Sequence, residues 1–525
     1  MINAKAPSEE QSLPPTLAAV LQRDSTPWYK KPHLLKLNYI IFSITLYASA
    51  NGYDGSMMNG LQALDPWQDF MHHPTGSWLG FINSVGNLGA LSIIFLSAWT
   101  VQKYGRRVGI YVGNISLVLG TVLQSAAHNP ATFILGRAFI GVANQWLTVS
   151  AGLWITETAF PAHRGIAAPL YSCGWYPGSL LAAWVTFGTR NYADSWSWRI
   201  PSILQIMIPT IALPGLLLAP ESPRYLVSVG KIDEARDVLL KYHSGGNSND
   251  EVLSLELDEI IHTLRREKEA NQSSGWADLF KPRGNQHRAY ITITMGIFGQ
   301  WCGNGVVSFY LTLVLNSAGI TGVTEQTLIN GFLQVWNLIW AVGAAFSVDR
   351  LGRRMLFLAS ALIMGVSYVF VTAFSGSFAE TGSKNIGIAV VPFLFIFYAG
   401  FDLAFTPLFM SYTAEIWPYN LRSRGLSLVY LTGQTATFLN VFANPICSGR
   451  HWILSSWKYY IVYVAILIIG FINMYLTYPE TKGHTLEGIR EIFDGKHAPG
   501  TLGDGSVEGD GKKKQATVTV ATAEL

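Results

Sequence analysis

Two short stretches decide the fold: KYGRR at residues 103–107 and DRLGRR at residues 349–354, each of which follows a long apolar run. The same features follow each stretch in the same order. They are Gly105-Arg106-Arg107, Glu157, Arg164-Gly165 and Pro220-Glu221 in the first copy, and Gly352-Arg353-Arg354, Glu415, Arg424-Gly425 and Pro479-Glu480 in the second. The lone Glu and the last Glu are 64 residues apart in one copy (157 to 221) and 65 in the other (415 to 480). This agreement indicates a duplicated unit.

The composition predicts that both copies lie in lipid. Half of the 525 residues are hydrophobic and only 13% are charged, a balance typical of membrane proteins. The net charge of +3 is small, and no Lys/Arg cluster is interleaved with aromatic residues as a nucleic-acid face requires. We therefore exclude nucleic acid as a partner.

Twelve windows of the sequence are long and apolar enough to cross a bilayer, which takes roughly 20 residues. The predicted spans lie near residues 37–57, 78–99, 108–128, 131–153, 166–188, 199–219, 289–314, 327–347, 355–376, 387–411, 425–446 and 457–478. They form two sets of six, one for each copy of the repeat. The predicted fold class is an all-α membrane protein with twelve transmembrane helices in two pseudo-symmetric six-helix bundles.

The predicted domains are a tail at 1–36, a bundle at 37–219, a central loop at 220–288, a second bundle at 289–478 and a tail at 479–525. In the loop, apolar residues recur at helical spacing over 231–242 and 252–269, which predicts amphipathic helices on the membrane surface. Lys and Arg accumulate on the cytosolic side of membranes. Arginine-rich turns follow spans two and eight, whereas residues 57–77 after span one contain no Lys or Arg. Both tails and the loop are therefore predicted to be cytosolic.

At these residues the chain resembles the sugar porter family of the major facilitator superfamily. The stretches that carry the resemblance are GYDGSMMNG at Gly52, KYGRR at Lys103, GRAFIG at Gly136, ETAFPAHRG at Glu157, PESPRYL at Pro220, DRLGRR at Asp349, AEIWPYNLRSRG at Ala414 and PETKG at Pro479. GQWCGNGVVSFYL at Gly299 and LYSCGWYPGS at Leu170 look most like the branch of fungal lactose permeases and cellodextrin transporters. The resemblance implies the major facilitator fold and a sugar transporter of the plasma membrane.

Asp54 and Arg137 lie inside predicted spans, where an ionisable group is costly without a partner. At 1.5 Å of rise per residue, Asp54 lies roughly 25 Å from the start of span one, and Arg137 lies roughly 9 Å from the opposite start of span four. In a core about 30 Å thick they share one depth. The resemblance implies proton coupling, because proton-coupled members have an acid and an Arg at these positions. The alternative is a static buried ion pair.

Two polar stripes predict a site for hydroxyl groups. Gln300, Asn304 and Ser308 follow helical spacing on span seven, and Asn330, Gln334 and Asn337 do so on span eight. In lipid such stripes face the protein interior. A single Asn in a span more often packs helices together than binds a ligand, but two facing stripes favour a site.

The resemblance adds further residues to this site. Gln300, Asn337 and the Phe309-Tyr310 pair align with sugar-contacting or outer-gate positions of the family. Trp175 and Tyr176 on span five offer aromatic faces that pack against a sugar ring. The predicted substrate-binding residues are Gln300, Asn304, Asn337, Gln334, Tyr310, Phe309, Trp175 and Ser172.

The sequence departs from the hexose carriers of the family at several of these positions. Gly305 stands where they usually have Asn, Ser172 replaces a Gln, Met410 replaces a Trp and Gly433 replaces an Asn. Most of these changes remove bulk or fixed hydrogen bonds, which favours a disaccharide. Asp402 and Gln434 add polar groups, and Asp402 either contacts substrate or belongs to the gate.

The repeated charges predict a gate at the cytosolic end. Carboxylates at the ends of spans four and ten, opposite the arginine-rich turns, can form charge-assisted networks that hold the two halves together when the carrier faces outward. Rearrangement of those contacts then opens this side. The predicted gate residues are Arg106, Arg107, Glu157, Arg164, Glu221, Arg224, Asp349, Arg353, Arg354, Glu415, Arg424 and Glu480. The alternative, that the arginines only fix topology, does not explain the paired glutamates.

These features predict a proton-coupled sugar symporter that works by alternating access and imports a disaccharide such as lactose or cellobiose. The alternatives are a transporter of a monosaccharide (hexose or pentose) and a sugar sensor that does not transport. With no nucleophile–base arrangement, phosphate loop or metal-ligand cluster, we expect no enzyme activity, cofactor or metal. The expected partners are the sugar, protons and the lipid bilayer, and the chain is expected to act as a monomer.

Overall fold

The computed structural model describes residues 27–247, 251–273, 275–418, 420–448, 456–482, 489 and 492–494. Most of these residues are helical, and there is no strand among them. The tails predicted at 1–36 and 479–525 lie largely outside the described residues.

Each predicted span falls on a helix or on a helix pair. The helices of the first half are α1 (Pro32–Gln62), α2 (Gly76–Ser92, continued as Ile94–Tyr104), α3 (Arg106–Ser125), α4 (Pro130–Thr158), α5 (Arg164–Cys173, continued as Trp175–Thr189) and α6 (Trp196–Leu204, continued as Met207–Leu218). Those of the second half are α7 (Arg283–Trp301, continued as Asn304–Ser317), α8 (Val323–Leu351), α9 (Arg353–Thr381), α10 (Lys384–Ile388, continued as Val390–Ile416), α11 (Arg422–Ser448) and α12 (Tyr459–Thr477). The predicted fold class is confirmed.

A test of helix length and apolar composition alone identifies only some of these twelve membrane helices. Within the described ranges, six helices meet that test (α3, α4, α6, α9, α10 and α12), and α2 adds a seventh if its two segments, bent by 42°, count as one span. The remaining helices, α1, α5, α7, α8 and α11, supply polar residues to the interior cavities described below. Side chains that face protein rather than lipid lower the mean hydropathy of a helix without preventing it from crossing the bilayer.

The helices extend beyond the predicted bundle limits. α1 begins at Pro32 rather than at 37, and α7 begins at Arg283 rather than at 289. The polar start of α7 is enclosed by protein, because Arg288 is fully buried and its guanidinium donates to the Ile416 carbonyl at 2.9 Å and to Asp494 at 2.8 Å. A window that detects only apolar residues cannot find such a start.

Each half has its own hydrophobic core. One cluster belongs to the second half and includes Phe357 and Tyr412, and another belongs to the first half and includes Trp154. A third cluster joins the halves, since Met57 of α1 and Tyr310 of α7 belong to it together. It lies away from the turns at Gly105 and Gly352, which define what we call the arginine-rich end.

At the opposite end, α1 and α7 are joined by hydrogen bonds. The Leu311 amide donates to Asn59 Oδ1 at 3.2 Å, and the Asn59 amide nitrogen donates to the Ser308 carbonyl. Gln62 Nε2 donates to the Phe309 carbonyl at 2.9 Å. These contacts hold the two halves against each other at this end.

The central loop contains helices at Pro223–Ser228, Ile232–Tyr242 and Glu251–Ser273. The last two match the segments in which apolar spacing predicts helices. Glu256 is fully buried and contacts both Arg164 and His243. The helix Glu251–Ser273 therefore packs on the protein, where we expected it to lie on the membrane surface.

Candidate functional site

A cavity of about 400 Å³ lies between the two bundles. It is lined by seven of the eight predicted substrate-binding residues, all except Tyr310: Ser172, Trp175, Gln300, Asn304, Phe309, Gln334 and Asn337. The first half contributes mainly α1 and α5, and the second half contributes α7, α8, α10 and α11. The volume lies in the range of small-molecule sites, which are mostly apolar with a few placed polar groups.

The interruption of α7 explains how its amide side chains reach this cavity. Gly303 has φ of +101°, a conformation that glycine adopts readily, and the Tyr368 hydroxyl donates to its carbonyl at 2.9 Å. A Cβ at Gly303 would lie 2.4 Å from the Tyr368 ring. Gln300 stands just before this break and Asn304 just after it. Interrupted membrane helices commonly form binding sites in this way.

The polar groups of the cavity are partly paired and partly open to a ligand. Ser308 Oγ donates to Asn304 Oδ1 at 2.7 Å and lies 2.6 Å from the Tyr398 hydroxyl. Asn337 is 3% exposed, and its Oδ1 has no hydrogen-bond partner among the described residues. A buried oxygen without a donor is unfavourable by about 1–3 kcal/mol. A ligand hydroxyl would supply that donor.

Aromatic rings form much of the remaining wall. Trp175 packs against α1 at Gly55, where any Cβ would lie 2.8 Å from its ring. Phe401 and Phe405 stack with ring centroids 5.8 Å apart, and both line the cavity. Aromatic faces beside amides suit a ligand that has hydroxyls on its edge and C–H groups on its face.

Tyr310 lies elsewhere, although the sequence pairs it with Phe309. Its ring is buried in the cluster that joins the halves, and its hydroxyl donates to the Val441 carbonyl at 2.6 Å. Its backbone is non-helical, with φ of −138° and ψ of 32°. Consecutive residues of a helix point in different directions, so only Phe309 faces the cavity.

Two of the small residues that favour a disaccharide leave no open space. A Cβ at Gly305 would lie 2.0 Å from Asn440 Oδ1, and a Cβ at Gly433 would lie 3.0 Å from the Phe409 ring. Neighbouring side chains thus occupy the volume that an Asn would fill at either position. Met410 does line the cavity.

Asp54 on α1 and Arg137 on α4 are in direct contact, with a hydrogen-bonded ion pair between Oδ1 and Nη1. Asp54 is 13% exposed and Arg137 is 3% exposed. The pair lines a second cavity of about 390 Å³, whose polar wall includes Asn51, Asn144 and Gln145. This cavity shares Gly55 and Trp175 with the central one, together with Ser172, Phe309 and Thr437. The ion pair and the central cavity are therefore separated by one layer of side chains.

At the arginine-rich end, the first half forms a compact network. Arg106 donates to both oxygens of Glu157 at 2.7 Å, and Ser222 Oγ donates to Glu157 at 2.6 Å. The backbone amides of Arg106 and Arg107 donate to Glu221 at 3.0 and 3.3 Å. Burial raises the pKa of Glu221 despite these donors.

The second half repeats this network with small differences. Arg353 Nε and Nη2 donate to the same oxygen of Glu415, at 3.3 and 3.0 Å, and Thr481 Oγ1 donates to the other at 2.6 Å. The backbone amides of Arg353 and Arg354 donate to Glu480 at 2.9 and 3.0 Å. Burial favours a higher pKa for Glu480, but backbone N–H donors outweigh it and lower the pKa.

These contacts join residues of the same half. That such networks hold the halves together when the carrier faces outward stays a prediction, because in this structure α1 and α7 join the halves at the opposite end. Each arginine-rich turn reaches the end of the fourth helix of its own bundle because the turn follows directly on the second helix. Two other predicted gate residues pair with the loop helix Glu251–Ser273, Arg164 with Glu256 at 2.6 Å and Arg224 with Glu267. Arg424 lies near the start of α11, and the side chain of Asp349 lies outside the described residues.

Sequence reasoning missed several residues of these sites. Ser222 and Thr481 follow the two Pro-Glu pairs directly, so the repeat itself contained the signal for them. His243 lies between two acceptors, Glu256 at 2.6 Å and the Thr158 carbonyl at 3.1 Å, and nothing in the sequence distinguishes it from a surface histidine. Tyr176, predicted as a sugar-stacking ring, lines the central cavity, and its hydroxyl also donates to Asp402 across the interface between the halves, a contact that the sequence did not indicate.

Comparison with known proteins identifies relatives of the whole chain. The family model described as "Sugar (and other) transporter" matches residues 40–493. A major facilitator superfamily transporter of Aspergillus fumigatus is 29% identical over 484 residues, which cover 88% of this chain and 87% of the relative. A low-affinity glucose transporter of Saccharomyces cerevisiae is 27% identical over 458 residues, with 84% and 79% covered.

Solved structures share the fold. The inward-open xylose transporter XylE from E. coli superposes with a TM-score of 0.71 at 22% identity, covering 87% of this chain and 100% of that one. The proton:xylose symporter XylE bound to 6-bromo-6-deoxy-D-glucose gives a TM-score of 0.70 at 21% identity, covering 87% and 99%. None of these proteins is named for lactose or cellodextrin, so the narrower resemblance gains no support from them.

Proposed function

Because the chain belongs to the sugar (and other) transporter family, we propose that it is a proton-coupled symporter of a monosaccharide, a hexose or a pentose, that works by alternating access. The observation that carries this proposal is the Asp54–Arg137 ion pair, one layer of side chains away from a cavity with an unpaired amide oxygen. Such a pair inside a membrane bundle marks an ion pathway more often than a structural contact.

The proposed coupling step uses these residues directly. Arg137 holds Asp54 ionised, and a proton arriving from outside neutralises the carboxylate and releases it from the guanidinium. The loaded carrier then closes around the sugar without an isolated acidic charge in its interior. Because Trp175 and Gly55 belong to both cavities, a change in the pair alters the wall of the sugar site.

A monosaccharide fits the observations better than the disaccharide expected from the sequence. Of the proteins reported above, the Saccharomyces cerevisiae relative is named for glucose and the superposed solved structures for xylose. The small residues Gly305 and Gly433 leave no open space, since Asn440 and Phe409 fill it. A disaccharide such as lactose or cellobiose is the second candidate, because the adjoining cavity of about 390 Å³ offers room for a second ring.

The remaining expectations complete the proposal. The arginine-rich end faces the cytosol of a cell whose plasma membrane contains the protein, which places both tails and the central loop inside. The networks around Glu157 and Glu415 form the cytosolic gate, and their rearrangement accompanies opening on that side. The chain acts as a monomer, because both halves of the site come from one polypeptide.

Uptake measurements test the proposal. In a yeast strain without sugar carriers, we expect uptake of radiolabelled glucose, galactose or xylose that requires an inward proton gradient and collapses with a protonophore. Lactose and cellobiose belong in the same panel, since their uptake in place of the monosaccharides would establish the second candidate. Uptake that ignores the proton gradient would refute symport, and sugar binding without any uptake would indicate a sensor.

A further inference from the structure

A second carboxylate is buried between the two halves, and it has no cationic partner. Asp402 lies within α10 and is fully buried. Its Oδ1 accepts a hydrogen bond from the Tyr176 hydroxyl of α5 and another from Thr406 Oγ1 at 2.9 Å. The Tyr176 and Thr406 hydroxyls are themselves 2.9 Å apart. We call this set the Asp402–Tyr176–Thr406 link; it joins the first half to the second beside the central cavity.

The other oxygen of this carboxylate is unpaired. Asp402 Oδ2 has no hydrogen-bond partner among the described residues. The titratable groups that face Asp402 are hydroxyls and a thiol, Tyr176 and Cys173 from α5 and Tyr398 from α10 itself. Within the part of the chain that the structure describes, no Lys, Arg or His forms an ion pair with it.

Asp402 and Asp54 differ in the groups that face their carboxylates. Arg137 compensates the charge of Asp54, whereas only neutral donors face Asp402. An uncompensated charge enclosed by protein within a membrane is strongly unfavourable. The closed link therefore favours the protonated acid, and the ionised acid favours an arrangement in which α5 and α10 part and water reaches the carboxylate.

We propose that Asp402 is a second proton-binding group of the transport cycle, which must be protonated for the two halves to close at the level of the sugar. This inference rests on the proposed transport function, but it does not require that a proton gradient drive uptake. Tyr176 is a positioning residue, since it holds the carboxyl group of one half against the other. The link makes closure of the cavity sensitive to protonation at its own wall, independently of the Asp54–Arg137 pair.

Sugar exchange at equal pH on both sides of a vesicle membrane separates the two acids. Exchange requires the halves to close and reopen, yet it needs no gradient. In purified, reconstituted Asp54→Asn protein, exchange of radiolabelled glucose should still fall at alkaline pH, by roughly tenfold per pH unit beyond its midpoint. The double variant Asp54→Asn/Asp402→Asn should exchange glucose at a rate that no longer depends on pH. A pH-independent rate in Asp54→Asn alone, or an unchanged fall in the double variant, would overturn the proposal.

Two further measurements exclude a purely structural role and a role in sugar binding. Tyr176→Phe in the Asp54→Asn protein removes a donor to the carboxylate, so the fall should remain but move by roughly one pH unit to higher pH. At acid pH, Asp402→Asn should bind glucose as the native protein does. A loss of binding with an unchanged pH profile would make Asp402 a sugar ligand and contradict the inference. Failure of gradient-driven uptake in the native protein would instead refute the proposed symport, and the exchange profile would still report on Asp402.

Discussion

The two halves of the molecule are nearly identical at the arginine-rich end and differ at the centre of the membrane. At that end each half joins a turn, a carboxylate and a hydroxyl in the same pattern. The corresponding sets are Arg106, Glu157, Ser222 and Glu221 in the first half, and Arg353, Glu415, Thr481 and Glu480 in the second. Each turn contains a glycine with positive φ, Gly105 in the first half and Gly352 in the second. A larger residue would not fit at either position, since its Cβ would lie 2.4 Å from Glu221 or 2.7 Å from Glu480.

At the centre, the first half supplies an ion pair and the second supplies amides. Asp54 and Arg137 both belong to the first bundle. Gln300, Asn304 and Asn337 belong to the second. The repeated pattern therefore holds at the arginine-rich end, whereas the ion pair and these amides lie in different halves. Under the proposed function, coupling depends on the wall that the two cavities share.

The largest expected effect is on accumulation, and it tests this division directly. Asp54→Asn imitates the protonated acid permanently, so the variant should bind and exchange sugar but no longer concentrate it, because position 54 no longer binds and releases the coupling proton in each cycle. The measurement is the accumulation ratio in reconstituted vesicles against an imposed pH gradient. Asp65→Asn, an acid of the short helix Asp65–Phe70 outside the membrane helices, is the matched control and should accumulate sugar normally. Normal accumulation by Asp54→Asn would mean that the ion pair is a structural contact and has no role in proton coupling.

The next effect concerns sugar binding in the second half. Asn337→Ala and Gln300→Ala should each weaken binding by about 1–3 kcal/mol, roughly 5- to 150-fold, since each leaves a sugar hydroxyl unpaired. The proton dependence of the remaining uptake should stay intact. Binding to purified protein, measured by calorimetry, checks the affinity. Asn330→Ala is the control, because Asn330 is an amide on the same helix as Asn337 that does not line the cavity and only accepts a long hydrogen bond of 3.4 Å from Gln334. Equal effects of all three variants on sugar affinity would mean that the sugar does not bind at Asn337 and Gln300.

The sequence predicts the helices and the ion pair well because both follow from local rules. Spans follow from apolar length, and the contact of Asp54 with Arg137 follows from helical rise and bilayer thickness. The stripe on α7 was recognisable as a period of four residues even though the helix breaks at Gly303. Gln300 before the break and Asn304 after it both line the cavity, so the polar face of α7 continues across the break.

Local rules do not predict in which direction an individual side chain points, or which side chains occupy the space beside a small residue. Tyr310 faces away from the cavity, because it directly follows Phe309 and consecutive residues point in different directions. The apparent space at Gly305 and Gly433 is filled by Asn440 and Phe409. Each of these lies on another helix and more than 20 residues away along the chain. Each arginine-rich turn contacts the glutamates of its own half, and the order and spacing of these residues in the sequence did not show which half they would contact.

A smaller effect compares the two gate networks. Arg106 contacts separate oxygens of Glu157, which is 9% exposed, whereas Arg353 contacts one oxygen of Glu415, which is 26% exposed. Glu157→Gln should therefore slow transport more than Glu415→Gln, by about 1 kcal/mol or roughly fivefold. Initial uptake rates check this, normalised to protein in the membrane.

Arg107→Ala belongs to the same comparison and should also impair transport. Its guanidinium donates to the Tyr111 hydroxyl of the same helix at 3.0 Å, so the change removes a side-chain contact at the arginine-rich end and none of the sugar cavity. Sugar binding by the purified variants should be unchanged. Normal uptake by both Glu157→Gln and Arg107→Ala would count against a gating role.

The smallest effect separates the two halves by the pH dependence of stability. Burial raises the pKa of Glu221, so its contribution favours the folded protein below the ordinary value of 4.5 and is lost as pH rises through the raised pKa. For Glu480 the burial effect is outweighed by backbone N–H donors, which lower the pKa, so its contribution is present above 4.5 and is lost as pH falls through the lowered pKa. Near neutral pH, Glu480→Gln should lower the melting temperature by roughly 1–2 °C, while Glu221→Gln should leave it unchanged or raise it slightly. Melting curves of detergent-purified protein from neutrality to below pH 4.5 measure the difference. It should shrink first above pH 4.5, as Glu221 is protonated, and further below pH 4.5, where the contribution of Glu480 is lost. Equal shifts in both variants at every pH would mean that the two networks are electrostatically alike and that the halves differ only at their centres.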